Sequence, residues 1–208
     1  MVRDEVVGVV LAGGLSRRMG GGDKALMTVG GVSILSRVIE RVAPQVTELV
    51  VNANGDPARF AGHALPVVAD VIQGFAGPLA GVLTGLDWAA ANAPGRPWVA
   101  SFACDAPFLP TDLVSRLLSA AEAEAAEMAC AASAGRRHPV FGLWPVRLRE
   151  ALRRAMTEDG VRKVDVWTAD YRMATVGFSV DPVDPFFNAN RPRDLAEAER
   201  LLAVADAT

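Results

Sequence analysis

The sequence predicts one α/β domain built on a largely parallel β-sheet, and two observations support that fold class. Short runs of apolar residues alternate with amphipathic helical patterns along the chain. No linker, repeat or low-complexity run interrupts that alternation. Such alternation is typical of parallel sheets covered by helices, which bind ligands beyond the carboxyl ends of their strands. We therefore expect functional residues to follow the strands directly.

The strands are predicted from apolar runs rich in β-branched residues and bounded by polar or glycine residues. Residues 5–12 are rich in valine and lead into Gly13. Residues 98–103 form another buried run, which stops at Cys104 and Asp105. The remaining predicted strands are residues 47–52, 66–70, 128–132, 140–144 and 171–176.

Helices are predicted where apolar residues recur at spacings of three and four. One such stripe runs over residues 34–42, and another over residues 113–121, where Thr111 and Asp112 suit the helix start. Pro192 lies in the first turn of a final helix, a position that tolerates proline. The other predicted helices are residues 79–92, 146–156 and 161–168.

The composition excludes several classes of protein. The chain has 208 residues, of which 51% are hydrophobic, and that content is too high for a disordered chain. The longest apolar stretch without a charge, residues 71–86, is shorter than the roughly 20 residues of a membrane span. Two cysteines make neither a disulfide framework nor a zinc site. The net charge of −3 argues against general nucleic-acid binding.

Asp4 and Glu5 stand where a signal peptide carries basic residues, so we expect a cytoplasmic protein. We expect no membrane and no nucleic acid among its partners.

The first predicted strand leads into a basic, glycine-rich segment, residues 11–26, with the sequence LAGGLSRRMGGGDKAL. Glycine lets backbone N–H groups approach an oxyanion closely. Arg17, Arg18 and Lys24 add positive charge, so a polyphosphate is the natural ligand, the alternative being a basic surface turn. The segment lacks the G-x-G-x-x-G pattern of a nicotinamide oxidoreductase. It also lacks the Gly-Lys-Ser/Thr of a P-loop, because an aspartate precedes the lysine and an alanine follows it.

The pattern LAGG-x-x-RRMGG-x-DK at residues 11–24 resembles the signature of nucleotidyltransferases that activate small phosphorylated metabolites. Among these it most resembles the molybdenum cofactor guanylyltransferases. The resemblance implies a three-layer α/β/α sandwich with a Rossmann-like, mostly parallel mixed sheet. It implies transfer of GMP from GTP to molybdopterin with release of pyrophosphate. We expect a single domain over residues 1–208, with a nucleotide-binding half over about 1–110 and an acceptor-binding half over about 111–208.

The resemblance continues at the ends of the next strands. Asn52 ends one strand, and its amide can donate to or accept from a purine edge or a ribose, although an Asx turn is an alternative. Asp70 ends another strand. The glycines in residues 77–81 allow a base to approach the backbone, although an ordinary helix start is the alternative. The resemblance implies nucleotide contacts at these positions. The expected nucleotide-binding residues are Leu11, Ala12, Gly13, Gly14, Lys24, Asn52, Asp70, Gly77, Pro78 and Asp105.

Asp105 follows an apolar strand in the sequence FACDAPFL. A carboxylate at a strand end that faces a triphosphate is the hard oxygen ligand that Mg²⁺ needs, although a turn before Pro107 would also use an aspartate. The resemblance implies that Asp105 binds the metal and that Mg²⁺ is the cofactor. It also implies catalytic roles for Lys24, for Asp105 and for one of the two arginines Arg17 and Arg18.

Three later segments resemble the acceptor side of the family. The first is HPVFGLW, where His138 is either an acceptor contact or a structural histidine. The second contains Arg162 and Lys163, which could equally lie on a solvated helix face. The third is FNANRPRD, in which Asn188 and Asn190 are candidates for metal or acceptor binding. The family commonly has a threonine where this chain has Arg191, so a hydroxyl has no role there.

The partners implied by the resemblance are GTP and molybdopterin. Transient contacts with molybdenum-insertion proteins and with the apoproteins of molybdoenzymes are also expected. Other activities stay open from the residues alone, namely a cytidylyltransferase for the same cofactor and a sugar-phosphate nucleotidyltransferase. A non-catalytic nucleotide-binding subunit that delivers the cofactor is the alternative from outside the enzyme class.

Overall fold

A computed structural model of the protein describes residues 5–13, 24–72, 74 and 77–205, except for the side chains of Lys24 and Ala205. Its main feature is a seven-stranded sheet with the order β5-β4-β1-β6-β8-β7-β9. The strands are β1 Val6–Leu11, β4 Glu48–Asn52, β5 Val67–Val68, β6 Trp98–Ala103, β7 Met128–Ser133, β8 Arg136–Pro145 and β9 Met173–Phe178. A separate two-stranded sheet pairs β2 Thr28–Val29 with β3 Val32–Ser33.

Most neighbouring strands of the large sheet are parallel. β1 pairs in parallel with β4 and β6, β4 with β5, and β7 with β9. Within the described residues of this sheet, β8 alone runs antiparallel to its neighbours, between β6 and β7. The predicted mostly parallel, mixed sheet is confirmed. The carboxyl ends of six strands therefore share one edge of the sheet, where the amino end of β8 also lies.

In the described part of the chain, six α-helices cover the two faces of the sheet. They are α1 Ile34–Val42, α2 Pro78–Asn92, α3 Leu113–Ala123, α4 Arg149–Thr157, α5 Val164–Thr168 and α6 Pro192–Ala205. One apolar cluster joins the sheet to α1, α3 and α6, and a second joins it to α2, α4 and α5. The three-layer arrangement predicted for the chain is confirmed.

The valines of β1 show why both faces are covered. Val6 and Val10 belong to the first cluster, whereas Val7 and Val9 belong to the second, and all four are fully buried. Successive side chains of a strand point to opposite faces, so a strand buried on both sides reads as an unbroken apolar run. That run was the signal by which β1 was predicted.

Some elements differ from their predicted bounds. β8 begins four residues earlier than predicted, since its polar first residues, Arg136 to His138, pair with β7 at the exposed end of a hairpin. α5 begins at Val164, three residues later than predicted. The β2–β3 hairpin and the 3₁₀ helix Pro57–His63 were not predicted, because each is too short or too irregular to show a periodic pattern. Among the helices of the described residues, none has the length and apolar character to cross a membrane.

Candidate active site

Three strand ends are aligned at the carboxyl edge of the sheet. Leu11 is in register with Asn52 of β4 on one side and with Ala103 of β6 on the other. The alignment continues past the strands: the Ala12 N–H donates to the Asn52 carbonyl at 2.8 Å, and the Cys104 N–H donates to the Leu11 carbonyl at 3.3 Å. The chain crosses from β5 to β6 on the far side of β1, so this is the point where strand order reverses. Open parallel sheets bind their ligands at such a point.

Asn52 is buried at this edge, with 2% of its surface exposed. Its Nδ2 donates to the Val68 carbonyl at 3.3 Å and to Asp70 Oδ1 at 2.9 Å. Both partners are acceptors, so they fix which end of the amide is the nitrogen. An Asx turn, the alternative interpretation of Asn52, would place its side chain on its own backbone rather than on β5 and Asp70.

Asp70 is half-buried and joins two asparagines. Its Oδ1 accepts from Asn52, and its Oδ2 accepts from Asn54 Nδ2 at 2.8 Å. The Asp70 N–H in turn donates to Asn54 Oδ1 at 2.9 Å. Two elements distant in sequence are thus joined by side-chain hydrogen bonds beyond the ends of β4 and β5.

Gly81 has a specific packing role in α2. A Cβ at this position would lie 2.4 Å from Asn52 Oδ1 and 2.6 Å from Leu11 Cδ2. The sequence suggested that the glycines of residues 77–81 leave room for a base. At Gly81, that room is occupied by the Asn52 side chain instead.

Gly77 and Pro78 form the start of α2. Gly77 precedes the helix with φ +137°, a conformation that favours glycine, and Pro78 takes the first position. A Cβ on Gly77 would lie 3.6 Å from the Arg162 carbonyl oxygen. The amino end of α2, which carries the positive end of its dipole, therefore lies close to the backbone of Arg162.

Asp105 lies two residues beyond β6 and is half-buried. Its carbonyl oxygen accepts from the Ala189 N–H at 3.0 Å. Asn188 and Asn190, the residues on either side of Ala189, are both exposed. The structure therefore brings the predicted metal ligand and the two predicted asparagines into one neighbourhood, although they are more than eighty residues apart in sequence.

His138 lies at the same edge of the sheet, in a separate hydrogen-bonded group. Ser133 Oγ donates to Asp184 Oδ1 at 2.9 Å and lies 2.8 Å from His138 Nε2. Because the hydroxyl proton is used on Asp184, the His138 Nε2 is the donor in the second bond. The imidazole ring packs on Phe186 with their centroids 4.8 Å apart. Burial lowers the pKa of His138, with Arg136 acting in the same direction and Asp184 opposing it.

The remaining acceptor candidates are exposed. Arg162 directs Nη1 to the carbonyls of Met156 and Val161, at 3.1 and 3.2 Å. Lys163 is the N-terminal flanking residue of α5 and is exposed. Both lie outside the helix, so the predicted solvated helix face does not describe them.

The start of α6 accounts for the departure at Arg191. Its carbonyl accepts from the Asp194 N–H at 2.9 Å, and Asp194 Oδ2 accepts from the Asn190 N–H at 2.9 Å. Asp194, in the first turn of α6, therefore ties the chain just before the helix to the helix through its carboxylate. A hydroxyl at position 191 is not needed to begin this helix.

Several predicted residues lie outside the described part of the chain. These are Gly14, Arg17 and Arg18, together with the side chain of Lys24, whose backbone begins a 3₁₀ helix, Lys24–Leu26. Leu11, Ala12 and Gly13 are described, and they lie at the end of β1 as predicted.

Other residues of the site were missed from the sequence. Asn54, Ser133 and Asp184 were not predicted, because each acts through a partner at least five residues away along the chain. The one sequence signal for Asn54 was its position two residues after Asn52 in the segment VVNAN.

Asp105, Asn188 and Asn190 carry side-chain oxygens of the kind that bind a hard divalent cation. Mg²⁺ is usually held by one or two protein oxygens and by substrate phosphates, with water completing its shell. The Asp105 carboxylate and the amide oxygens of Asn188 and Asn190 are donors of that type. Within the described residues, no cluster of three or more histidine, cysteine, aspartate or glutamate side chains offers an all-protein metal site. The residues therefore fit a cation that a phosphorylated substrate helps to hold.

Solved structures share this fold across almost the whole chain. The molybdopterin-guanine dinucleotide biosynthesis protein A of Archaeoglobus fulgidus superposes with a TM-score of 0.73 at 21% identity, covering 95% of this chain and 99% of its own. The 4-diphosphocytidyl-2C-methyl-D-erythritol synthase of Anaerococcus prevotii gives 0.74 at 12% identity, covering 97% and 98%. These two likenesses show the fold, an α/β sandwich built on a mostly parallel sheet.

The sequence relatives are more specific. A molybdenum cofactor guanylyltransferase of Rhodopseudomonas palustris is 61% identical over 93% of this chain and 92% of its own. One from a Bradyrhizobium species is 58% identical over 97% of this chain and 95% of its own. The family described as MobA-like NTP transferase domain matches residues 8–171. The chain belongs to that family, and the resemblance found in its glycine-rich segment is confirmed.

Proposed function

We propose that this protein transfers GMP from GTP to the terminal phosphate of molybdopterin, forming the guanine dinucleotide cofactor and releasing pyrophosphate. The observation that carries this proposal is the register of Leu11 with Asn52 and Ala103, which gathers the predicted nucleotide and metal residues at one edge. The relatives at 61% and 58% identity, which are named for this activity, support it.

In this proposal, the nucleoside of GTP lies over the ends of β1, β4 and β5. In that position the nucleoside can form hydrogen bonds with the backbone of Leu11, Ala12 and Gly13 and with the polar side chains of Asn52 and Asp70. Gly77 and Pro78 bound the site at the amino end of α2, where the helix dipole favours an anion.

The phosphates extend towards the glycine-rich segment. There, Gly14 and its neighbours offer backbone N–H groups, and Lys24 with Arg17 or Arg18 supplies positive charge. A terminal phosphate oxygen of molybdopterin attacks the α-phosphorus in line, and pyrophosphate leaves. Because the nucleophile is already an anion, the chain needs no general base. Catalysis then rests on positioning and on neutralising the charge of the departing pyrophosphate.

Asp105 is assigned as the metal-binding residue, and Asn188 and Asn190, which flank the residue that donates to the Asp105 carbonyl, are candidate further oxygen ligands. A Mg²⁺ ion bound there would neutralise phosphate charge. Asp105 is anchored for this role through its own carbonyl, which accepts the Ala189 N–H. The segment that carries the asparagines is thereby held against the strand end.

Molybdopterin is assigned to the second half of the chain. His138, Arg162, Lys163, Asn188 and Asn190 are its candidate contacts. His138 Nδ1 is the ring nitrogen opposite the one engaged with Ser133, and the lowered pKa of this histidine keeps the ring neutral near pH 7. A neutral ring accepts a hydrogen bond at Nδ1, so it suits a donor on the pterin better than a phosphate.

The same proposal includes three further points. The chain divides into halves at about residue 110, the protein is cytoplasmic, and it contacts molybdenum-insertion proteins and molybdoenzyme apoproteins. The net charge of the chain is −3, so binding of anionic, phosphorylated substrates is assigned to the local positive charge of Lys24, Arg17 and Arg18.

The test is formation of the guanine dinucleotide from GTP and molybdopterin by the purified protein. We expect product in the presence of Mg²⁺, and no product after a chelator removes the cation. Product formation that persists in the chelator would contradict the metal assignment, while GTP binding without product would favour a cofactor-delivery subunit.

A further inference from the structure

We propose that Asn54 is a positioning residue for the nucleotide. Through Asp70, it fixes the amide of Asn52 so that only the Asn52 carbonyl oxygen is offered to the ligand. The nucleotide must then present a hydrogen-bond donor at this point. This inference rests on the proposed function, since it assumes that the carboxyl edge binds a nucleoside triphosphate.

Asn54 and Asp70 hold each other through two hydrogen bonds. Asn54 Nδ2 donates to Asp70 Oδ2 at 2.8 Å, and the Asp70 N–H donates to Asn54 Oδ1 at 2.9 Å. The backbone of Asn54 is also anchored, because Arg59 Nη2 donates to its carbonyl at 2.7 Å. The Asp70 carboxylate is therefore fixed in rotation by a residue that is itself held in place.

The carboxylate in turn fixes Asn52. Its Oδ1 lies 2.9 Å from Asn52 Nδ2, and the Val68 carbonyl oxygen lies 3.3 Å from the same nitrogen. A rotated amide would place the Asn52 oxygen against two acceptors, one of them a carboxylate, in a buried position. Burying polar atoms without partners costs about 1–3 kcal/mol, so the observed orientation is strongly favoured.

Asn52 Oδ1 is directed towards the nucleotide side of the edge. It lies 3.7 Å from the Cβ position of Gly13 and only 2.4 Å from that of Gly81. The oxygen thus sits between the end of β1 and the first turns of α2. Both Nδ2 hydrogens are already used, and a carbonyl oxygen can only accept. GTP carries four kinds of donor that could meet it: the N1–H, the N2 amine and the two ribose hydroxyls.

The first test compares Asn54→Ala with the wild type in steady-state GMP transfer. We expect KM for GTP to rise about fivefold, as the loss of one oriented hydrogen bond predicts, with kcat unchanged. The matched control is Asn92→Ala, since Asn92 also makes one exposed side-chain bond, to the Trp88 carbonyl at 2.9 Å, at the far end of α2. A fall in thermal stability of Asn54→Ala with an unchanged KM would overturn the inference.

A second test exchanges the side chains at positions 54 and 70. Asn54→Asp alone places two carboxylates against each other and should raise KM further than Asn54→Ala. The double variant Asn54→Asp/Asp70→Asn restores a donor between the two positions and leaves an oxygen that accepts from Asn52. We expect KM to return towards the wild-type value. A double variant no better than Asn54→Asp would contradict the positioning role.

A third test identifies the donor. The ratio of KM between Asn54→Ala and the wild type is measured with the triphosphates of 2′-deoxyguanosine, 3′-deoxyguanosine, inosine and 1-methylguanosine. The analogue that lacks the donor meeting Asn52 should give a ratio near one. A ratio near five for all four would overturn the donor assignment. If the wild type uses CTP and not GTP, the proposed function fails, while the same comparison made with CTP still tests Asn54.

Discussion

The two ends of the carboxyl edge differ in how their polar residues are held. On the nucleotide side, Asn52, Asn54 and Asp70 are joined to one another, and their hydrogen bonds fix each orientation before a ligand arrives. On the acceptor side, Arg162, Lys163 and Asn188 are exposed side chains, and His138 is hydrogen-bonded to the buried Ser133. Preorganised groups bind without the entropy cost of ordering them, so the two substrates meet sites of different character.

The segment from Asp184 to Asn190 connects the two sides. Asp184 holds the Ser133–His138 pair, and five residues later the Ala189 N–H donates to the Asp105 carbonyl. This segment therefore carries the proposed acceptor residues Asn188 and Asn190 and reaches Asp105, the proposed metal ligand. The comparison predicts that changes on the nucleotide side affect KM for GTP, while changes at Asp105 affect the reaction itself.

The largest effect is expected at Asp105. Asp105→Ala should reduce Mg²⁺-dependent GMP transfer by about a thousandfold or more, because the phosphate charge loses its metal-binding carboxylate. Circular dichroism should show an unchanged fold. Asp112→Ala is the matched control, because Asp112 is an exposed aspartate at the start of α3 whose Oδ2 lies 3.9 Å from Arg116 Nη1. Full activity in Asp105→Ala would end the metal assignment.

The two lysines of the chain allow a direct comparison of the two halves. Lys24→Ala should lower kcat at least ~100-fold, which corresponds to ~2.7 kcal/mol of barrier, since a compact ammonium beside the phosphates is lost. Lys163→Ala should instead raise KM for molybdopterin and leave KM for GTP unchanged. A loss confined to thermal stability in Lys24→Ala would assign that lysine a structural role.

Gly81→Ala should disturb the nucleotide side through packing. The new Cβ would meet Asn52 Oδ1 at 2.4 Å, so the asparagine must move or the helix must shift. We expect a higher KM for GTP and a loss of about 1–3 kcal/mol in the free energy of unfolding. Gly177→Ala is the control, because a Cβ there has no neighbour within 4 Å. Equal effects of the two substitutions would remove the special role of Gly81.

The smallest effect is expected at His138 and depends on pH. Its folded-state pKa lies below the unfolded value, so the unfolded chain takes up a proton first as the pH falls through about 6.5. The free energy of unfolding of the wild type should therefore decrease in this window relative to His138→Gln. Parallel curves for the wild type and His138→Gln would show that burial does not act on this ring as described.

Much of the fold could be predicted because its signals are local. The valines of β1 and the run of β6 identified the central strands, and the residues that follow them include Asn52, Asp70 and Asp105. The rule that ligands bind beyond parallel strand ends predicted that such residues lie at one edge of the sheet. The structure aligns Asn52 with the end of β6, joins Asp70 to Asn52, and puts Asp105 two residues beyond β6.

The roles that the sequence did not predict depend on contacts between distant parts of the chain. The function of Asn54 requires Asp70, which follows another strand, and the role of Gly81 requires the position of the Asn52 side chain. The Ser133–Asp184 bond joins residues 51 positions apart. No periodic pattern records such pairs, so only the folded chain shows them.

Pyrophosphate release is the most direct test of guanylyl transfer, measured with GTP and with CTP, each with and without molybdopterin and with and without Mg²⁺. We predict release with GTP only when molybdopterin and Mg²⁺ are both present, and little release with CTP. Release that favours CTP, or GTP binding with no pyrophosphate under any of these conditions, would contradict guanylyl transfer.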